Sequence, residues 1–299
     1  MADCDVLVLG GGPAGLAAGQ YVARAGYDVL VIDPMGPGGQ LMFIDEIENY
    51  PGIRSISGYA LAEKLENQAS DFGVRIDYSE ALSIEKKEGL FSVATSDGDI
   101  SAKAVIIATG ARHRHLGVPG EEEYAGRGVS YCATCDGPFF KGKKIVVVGG
   151  GDTALTDALY LSKLGEHVTV VHRRNEFRAQ KVLQERLLAK ENISTALGRT
   201  LASIDGDGSK VTGVTLDDGT AISCDAVFVF VGTLPNSEIV KDLVDLDGGF
   251  IKTDGAMRTS LPGVFAAGDV RTTSFRQVVT AAGDGAAAAH SADEYISEL

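Results

Sequence analysis

Val6-Leu7-Val8-Leu9-Gly10-Gly11-Gly12-Pro13-Ala14-Gly15 decides the fold. A short apolar run meets a glycine loop, and a helical pattern then continues to about Ala25, where Gly26 stops it. Asp28-Val29-Leu30-Val31-Ile32-Asp33 follows and predicts a second buried strand closed by an acid. Strand, G-x-G-x-x-G, helix, strand and acid together make a dinucleotide-binding pattern. Its first glycine permits a tight turn, its second lets a pyrophosphate approach the backbone, and its third lets helix and strand pack closely. The helix N-terminus then presents free N–H groups to phosphate. Asp33 stands where a carboxylate accepts from ribose hydroxyls.

The chain then repeats itself. Ile145-Val146-Val147-Val148 leads into Gly149-Gly150-Gly151-Asp152-Thr153-Ala154, with a helix predicted to about Leu164 and a strand over residues 167–171. Laid on the first copy without a gap, Gly10 falls on Gly149, Gly12 on Gly151, Tyr21 on Tyr160, Gly26 on Gly165 and Val29 on Val168. A shorter echo places residues 104–110 on residues 226–232. The expected class is α/β, with two Rossmann-like dinucleotide-binding domains, the second inserted into the first. Residues 112–120 break the periodicity, and Thr233-Leu234-Pro235-Asn236 reads as a return loop. The expected division is 1–114 with 241–299 for the outer domain and 115–240 for the inserted one.

The copies differ where the second strand ends. Asp33 of the first falls on His172 of the second, and Arg173-Arg174 follow, with Arg178 one helical turn further. An acid suits a free ribose, whereas arginines suit a 2′-phosphate. At about 1.5–3 kcal/mol for each charge-assisted hydrogen bond, two arginines favour NADPH over NADH by roughly a hundredfold. The alternative is a solvated basic turn.

Composition narrows the classes. A formal net charge of −14 over 299 residues argues against a nucleic-acid partner, which needs clustered Lys and Arg. No apolar run approaches the roughly 20 residues of a membrane span, and Met1-Ala2-Asp3 runs straight into the first strand pattern. Four cysteines in a chain of this length make no disulfide framework. A cytoplasmic location is therefore expected, with the one close cysteine pair used for redox or metal chemistry.

That pair lies in Ser130-Tyr131-Cys132-Ala133-Thr134-Cys135-Asp136-Gly137-Pro138. A structural zinc site needs four ligands, and Cys4, Cys224 and the five histidines supply no second pair at finger spacing. A thioredoxin-type active site would continue into a long helix, which Asp136-Gly137-Pro138 cuts short. Two inert core cysteines sit poorly beside polar Asp-Gly-Pro. The remaining reading is a redox disulfide fed by nucleotide cofactors. NADPH delivers a hydride, two electrons at once, while a disulfide opens by thiolate chemistry, and a flavin is the usual converter. The first glycine loop, with its ribose-type acid, is the place for FAD. Asp136 either moves protons as thiols and thiolates interchange or caps the turn before Gly-Pro.

Together these strings resemble the low-molecular-weight, bacterial-type thioredoxin reductases. Gly10 to Gly15, Gly38-Gly39-Gln40-Leu41, Ala108-Thr109-Gly110, Cys132-Ala133-Thr134-Cys135-Asp136-Gly137, His172-Arg173-Arg174 with Arg178, and Ala267-Gly268-Asp269 with Arg276-Gln277 carry the resemblance. It implies a homodimer in which each chain reduces thioredoxin or a thioredoxin-like protein. It also implies that Cys135 faces the flavin and that Cys132 attacks the partner's disulfide. Chain order adds that the cysteine pair and the second glycine loop share the inserted domain while the FAD loop lies on the other. The inserted domain is therefore expected to rotate between half-reactions about hinges near residues 112–117 and 232–236. For FAD the expected contacts are Gly10, Gly12, Pro13, Ala14, Gly15, Asp33, Gly39, Gln40, Leu41, Asn49, Thr109, Gly110, Gly268, Asp269, Arg276, Gln277 and Val278. For NADPH they are Gly149, Gly151, Asp152, Thr153, Ala154, His172, Arg173, Arg174 and Arg178, with no metal expected. The chain departs from the family pattern at Thr156 and Asn175, where acids are common.

Overall fold

The computed structural model describes residues 2–44, 46–87 and 89–299. The chain forms two compact units, residues 1–112 with 234–299, and residues 113–233. The crossings fall at 112/113 and 233/234, a few residues before the expected 114/115 and 240/241. The larger shift has a packing cause. Val240 is fully buried in the first unit's core beside Leu7, Leu9 and Phe91, so residues 234–240 fold with that unit.

The first unit is built on a sheet ordered Arg75–Asp77, Val29–Ile32, Cys4–Leu9, Gly98–Ile107. Gly98–Ile107 serves two neighbourhoods. Residues 104–107 run parallel to Cys4–Leu9 and to Val264–Ala266, while residues 98–102 pair antiparallel with Leu90–Thr95. Val6, Leu7, Val8 and Leu9 are buried on both faces, which is why they read as an unbroken apolar run instead of an alternating one. The helices Pro13–Arg24 and Val278–Ser297 cover one face, and small residues let them approach closely. A Cβ on Gly285 would stand 2.1 Å from the Ala14 carbonyl oxygen. The sequence left open whether the alanine-rich helix covers a sheet or another subunit. Ala281, Ala288, Ala289 and Ala292 are buried in this unit's own core, against Ala14, Ala18 and Val22.

The second unit repeats the plan. Its parallel sheet is ordered Ile193–Leu197, His167–His172, Lys144–Val148, Ala226–Val229, Val129–Ser130. The repeat seen in the sequence is a repeat in register. Val6 pairs with Val29 and Ile145 with Val168; Val6 pairs with Ala104 and Ile145 with Ala226. Gly10 N–H donates to Ile32 O at 2.8 Å, and Gly149 N–H donates to Val171 O at 3.0 Å. The three-stranded antiparallel sheet of Leu201–Gly206, Val211–Leu216 and Ala221–Ser223 adds a second layer, with Ile204, Val214 and Leu216 packed on Val146, Val148 and Val227. Among the described residues no helix is long and apolar enough to cross a membrane.

Candidate functional site

In the first unit, the expected residues follow the ends of four of the five parallel strands, at one edge of the sheet. Gly10 adopts φ +109°, and a Cβ there would stand 2.3 Å from the Ala108 carbonyl oxygen. A Cβ on Gly15 would stand 1.8 Å from Gly10 O, so helix and loop touch backbone to backbone. Gly12 differs: it is the N-cap of helix Pro13–Arg24, makes no side-chain cap, and has open space where a Cβ would point. Turn, opening and close contact are divided among the three glycines.

Asp33 accepts from Gly11 N–H at 2.7 Å and from Met35 N–H at 2.9 Å. Its carboxylate thus braces the glycine loop as well as standing at the end of the second strand. Gly38 N–H donates to Gly11 O at 2.8 Å, and Gly39 lies over Gly12, which brings Gln40 and Leu41 back towards the loop. Gln40 Nε2 donates to Ala111 O, and Leu41 is buried. Thr109 and Asn236 exchange two hydrogen bonds, 2.6 Å from the Thr109 hydroxyl to Asn236 O and 2.9 Å from Asn236 Nδ2 to Thr109 O. Gly110, at φ +68°, faces open space beside them.

The last strand, Val264–Ala266, delivers Gly268 and Asp269 to the same edge. Burial pushes the Asp269 carboxyl up, against the opposing pull of the Arg276 guanidinium. Arg276 stacks over Phe250 at 4.3 Å. Gln277 caps helix Val278–Ser297 in a reciprocal box with Thr280, and it accepts from Asn49 Nδ2 at 3.0 Å. A feature the sequence did not disclose holds this corner. Asp284 takes Arg271 bidentately, at 2.7 and 3.1 Å, and also accepts from Gly268 N–H at 3.1 Å. The only signal was a lone acid in an alanine-rich stretch.

In the second unit, Gly149 adopts φ +151° and a Cβ there would stand 2.5 Å from Phe230 O, while Gly151 faces nearly open space. Asp152 opens helix Asp152–Leu161 and accepts from Gln180 N–H at 2.7 Å; Thr153 is exposed and Ala154 buried. His172 lies beneath the loop, since a Cβ on Gly150 would stand 2.4 Å from its ring. It stacks on Phe177, and its Nε2 is buried without a hydrogen-bond partner. Burial, then Arg178, Arg174 and Arg173, hold its pKa below the usual range, so the ring is neutral at neutral pH. Arg173, Arg174 and Arg178 are exposed, and Arg178 N–H donates to Gly150 O at 2.8 Å. Thr156 is exposed, and Asn175 packs against Gly198.

The same unit carries a Cys132–Cys135 disulfide. Cys132 is the N-cap of the short helix Ala133–Asp136, and its Sγ accepts from Cys135 N–H at 3.2 Å. This helix lies on helix Asp152–Leu161. A Cβ on Gly137 would stand 2.9 Å from the Leu161 side chain and 3.3 Å from Tyr160, so the turn packs closely there. The redox pair therefore rests on the helix that the second glycine loop opens. Asp136 does not cap the turn that follows it; its carboxylate turns back to accept from the Ser130 hydroxyl at 2.5 Å. Cys4 and Cys224 are buried free thiols, each pushed up to about 12 by burial. No cluster of His, Cys, Asp and Glu able to hold a metal ion occurs among the described residues.

This geometry agrees with what the chain is similar to. The family pattern described as pyridine nucleotide-disulphide oxidoreductase matches residues 4–285. The thioredoxin reductase of Treponema pallidum is 48% identical, over 99% of this chain and 98% of that one. The thioredoxin reductase of Listeria monocytogenes is 46% identical, over 99% and 94%. The crystal structure of thioredoxin reductase from Streptococcus pyogenes superposes with a TM-score of 0.94 at 44% identity, covering 99% of each chain. Lactococcus lactis thioredoxin reductase, in its FR conformation, superposes at 0.69 with 43% identity, covering 99% and 100%.

Proposed function

The chain belongs to the pyridine nucleotide-disulphide oxidoreductases, among the thioredoxin reductases, and from that premise we propose that it carries electrons from NADPH through FAD to the Cys132–Cys135 disulfide and on to a thioredoxin-like protein. The observation that carries this reading is the seating of the disulfide on the helix opened by the arginine-flanked glycine loop.

The residues fit the two nucleotides. In the first unit, Gly12 and Gly110 leave open space at a helix N-terminus and a strand end, and Asp33 and Asp269 supply carboxylates for ribose and ribityl hydroxyls. In the second, Gly151 leaves an opening beside the Arg178 guanidinium, and the exposed Arg173 and Arg174 follow His172 beneath the same loop, a set of guanidinium charges suited to a 2′-phosphate. A bound flavin supplies the conversion between a two-electron hydride and thiolate chemistry.

The chain's own groups then account for the thiol steps. The Cys135 N–H directed at Cys132 Sγ stabilises negative charge on that sulfur when the pair is opened, favouring Cys132 as the attacking thiolate. Cys132 attacks one sulfur of the partner's disulfide to form a mixed disulfide, and Cys135 then attacks Cys132 to release the reduced partner. Asp136 takes a proton from a thiol and gives it to a leaving thiolate, ending each turnover in its starting state.

Disulfide and arginine-lined loop share one unit, whereas the flavin-type loop belongs to the other. Turnover then needs the second unit to rotate about its crossings at 112/113 and 233/234. Two relatives of nearly equal identity superpose at 0.94 and 0.69, which supports a family whose units take more than one arrangement. The resemblance to this family further implies a homodimer. A cysteine pair that cycles belongs in the reducing cytoplasm.

The test is anaerobic titration of the yellow holoenzyme with NADPH. Bleaching with release of two titratable thiols, followed by turnover with thioredoxin, is the expected result. A bound nucleotide that bleaches nothing, or a Cys132→Ser variant with undiminished turnover, would refute the reading.

A further inference from the structure

Ser130 has no part in the scheme above, and its surroundings give it one. It closes the edge strand Val129–Ser130 and is 95% buried, with 5% of its surface exposed. A buried hydroxyl has one hydrogen to give and lone pairs to receive. The hydrogen goes to Asp136 Oδ2 at 2.5 Å, and the oxygen accepts from Cys132 N–H at 3.1 Å. The 3.4 Å approach to Cys132 O is left as a contact, because the single hydrogen is committed to the shorter bond. Asp136 N–H donates to Cys132 O at 3.1 Å, closing the turn from the other side.

We infer that Ser130 is the positioning residue for proton transfer at the redox pair: it ties the Asp136 carboxylate and the Cys132 backbone to one buried hydroxyl, holding the acid against the chain of the attacking sulfur. The inference rests on the thiol-exchange reading above. In that exchange the reduced pair gives two electrons and two thiol protons to the partner, the Cys132–Cys135 bond re-forms, and the partner's disulfide breaks. Asp136 must be ionised to accept the first proton. A hydroxyl donor favours the ionised carboxylate, and a packed donor also restricts its rotamer. Without the donor, the carboxyl holds its proton to higher pH and loses its tie to the Cys132 backbone through the shared hydroxyl.

The experiment uses the flavin-loaded holoenzyme and follows oxidation of the NADPH-reduced enzyme by thioredoxin across pH in a stopped-flow instrument. Ser130→Ala slows this step about tenfold or more, within the range positioned acid–base groups supply. It also moves the limb that falls at low pH to higher pH, while flavin content and flavin bleaching by NADPH are retained. Ser130→Thr, which keeps the hydroxyl, restores the profile. In an Asp136→Asn background, Ser130→Ala adds no further loss, because the two act as one unit. A wild-type pH profile in Ser130→Ala, or an equal loss in both backgrounds, overturns the inference. Failure of the wild-type protein to pass electrons from NADPH to thioredoxin overturns the functional reading instead.

Discussion

Tyr131 donates its phenolic hydrogen to the Glu121 carboxylate at 2.9 Å, and the next residue in the chain is the first cysteine of the redox pair. Glu121 is 1% exposed and also accepts from Leu116 N–H at 2.9 Å and Gly117 N–H at 2.7 Å. With the phenol committed to Glu121, His115 Nδ1 donates to the phenolic oxygen at 2.9 Å, and His113 stacks on the ring. One buried carboxylate thus joins the segment that enters the second unit to the segment that carries the disulfide.

Removing Glu121 orphans two backbone donors at once. Glu121→Ala should lower the unit's stability by about 3 kcal/mol, and Tyr131→Phe by about 1 kcal/mol, read from urea unfolding. Burial first, then the Glu121 hydrogen bond, raise the Tyr131 pKa well above its usual value. A raised pKa means the contribution is complete below the unfolded value of about 10 and is lost as pH climbs through the raised folded value. Tyr131→Phe should therefore remove part of the fall in stability above pH 10. An unchanged alkaline slope would show that the phenol is not held as described.

Asp157 predicts the opposite kind of variant. It lies partly buried on helix Asp152–Leu161, and burial raises its carboxyl to about 6. Its raised pKa favours folding only below the unfolded value of about 4, and that advantage is lost as pH rises through 6. Asp157→Asn should thus stabilise the protein at pH 7, on the order of 1–2 kcal/mol after discounting for partial exposure, and leave it unchanged near pH 4. Urea midpoints at the two pH values decide it.

Arg173 and Arg174 are exposed, so replacing them disturbs no core. Arg173→Ala with Arg174→Ala should raise the KM for NADPH about a hundredfold, with the NADH kcat/KM little changed. Steady-state kinetics with both nucleotides reads this directly. Equal losses with NADPH and NADH would mean the arginines do not recognise the 2′-phosphate.

Two glycines of one loop should fail in different ways. Gly15→Ala drives a methyl to within 1.8 Å of Gly10 O, and the first unit should lose stability or fail to fold. Gly12→Ala meets no protein atom within 4 Å, so the chain should fold normally while its methyl fills the space a pyrophosphate needs. Circular dichroism and flavin absorbance separate the two outcomes. A Gly12→Ala protein that binds flavin at wild-type affinity would move the pyrophosphate elsewhere.

Much of the architecture could be read from the chain because its determinants are local. A positive φ at Gly10 and Gly149 restricts those positions to glycine in practice, and strands buried on both faces need unbroken apolar runs. These requirements recur at one fixed spacing, so the repeat in sequence is a repeat in register. The cysteine pair was legible for the same reason: its two residues lie three apart and close a disulfide over one short helix and its N-cap.

What depended on distant partners was not legible. Whether Asp136 capped its own turn or served the cysteines was open in the sequence; folding turned its carboxylate back to Ser130, on a strand six residues earlier. Asp33 read as a ribose ligand, yet it also braces the Gly11 N–H, 22 residues before it. Glu121, Asn236 and Asp284 carried no motif, since the backbone groups they satisfy are brought to them only by packing. Sequence by itself determined the two nucleotide-binding units and the redox pair, because turns and strands are specified by neighbouring residues. Only the tertiary structure decided which polar groups hold the site together, because a buried donor or acceptor takes whatever partner the fold places beside it.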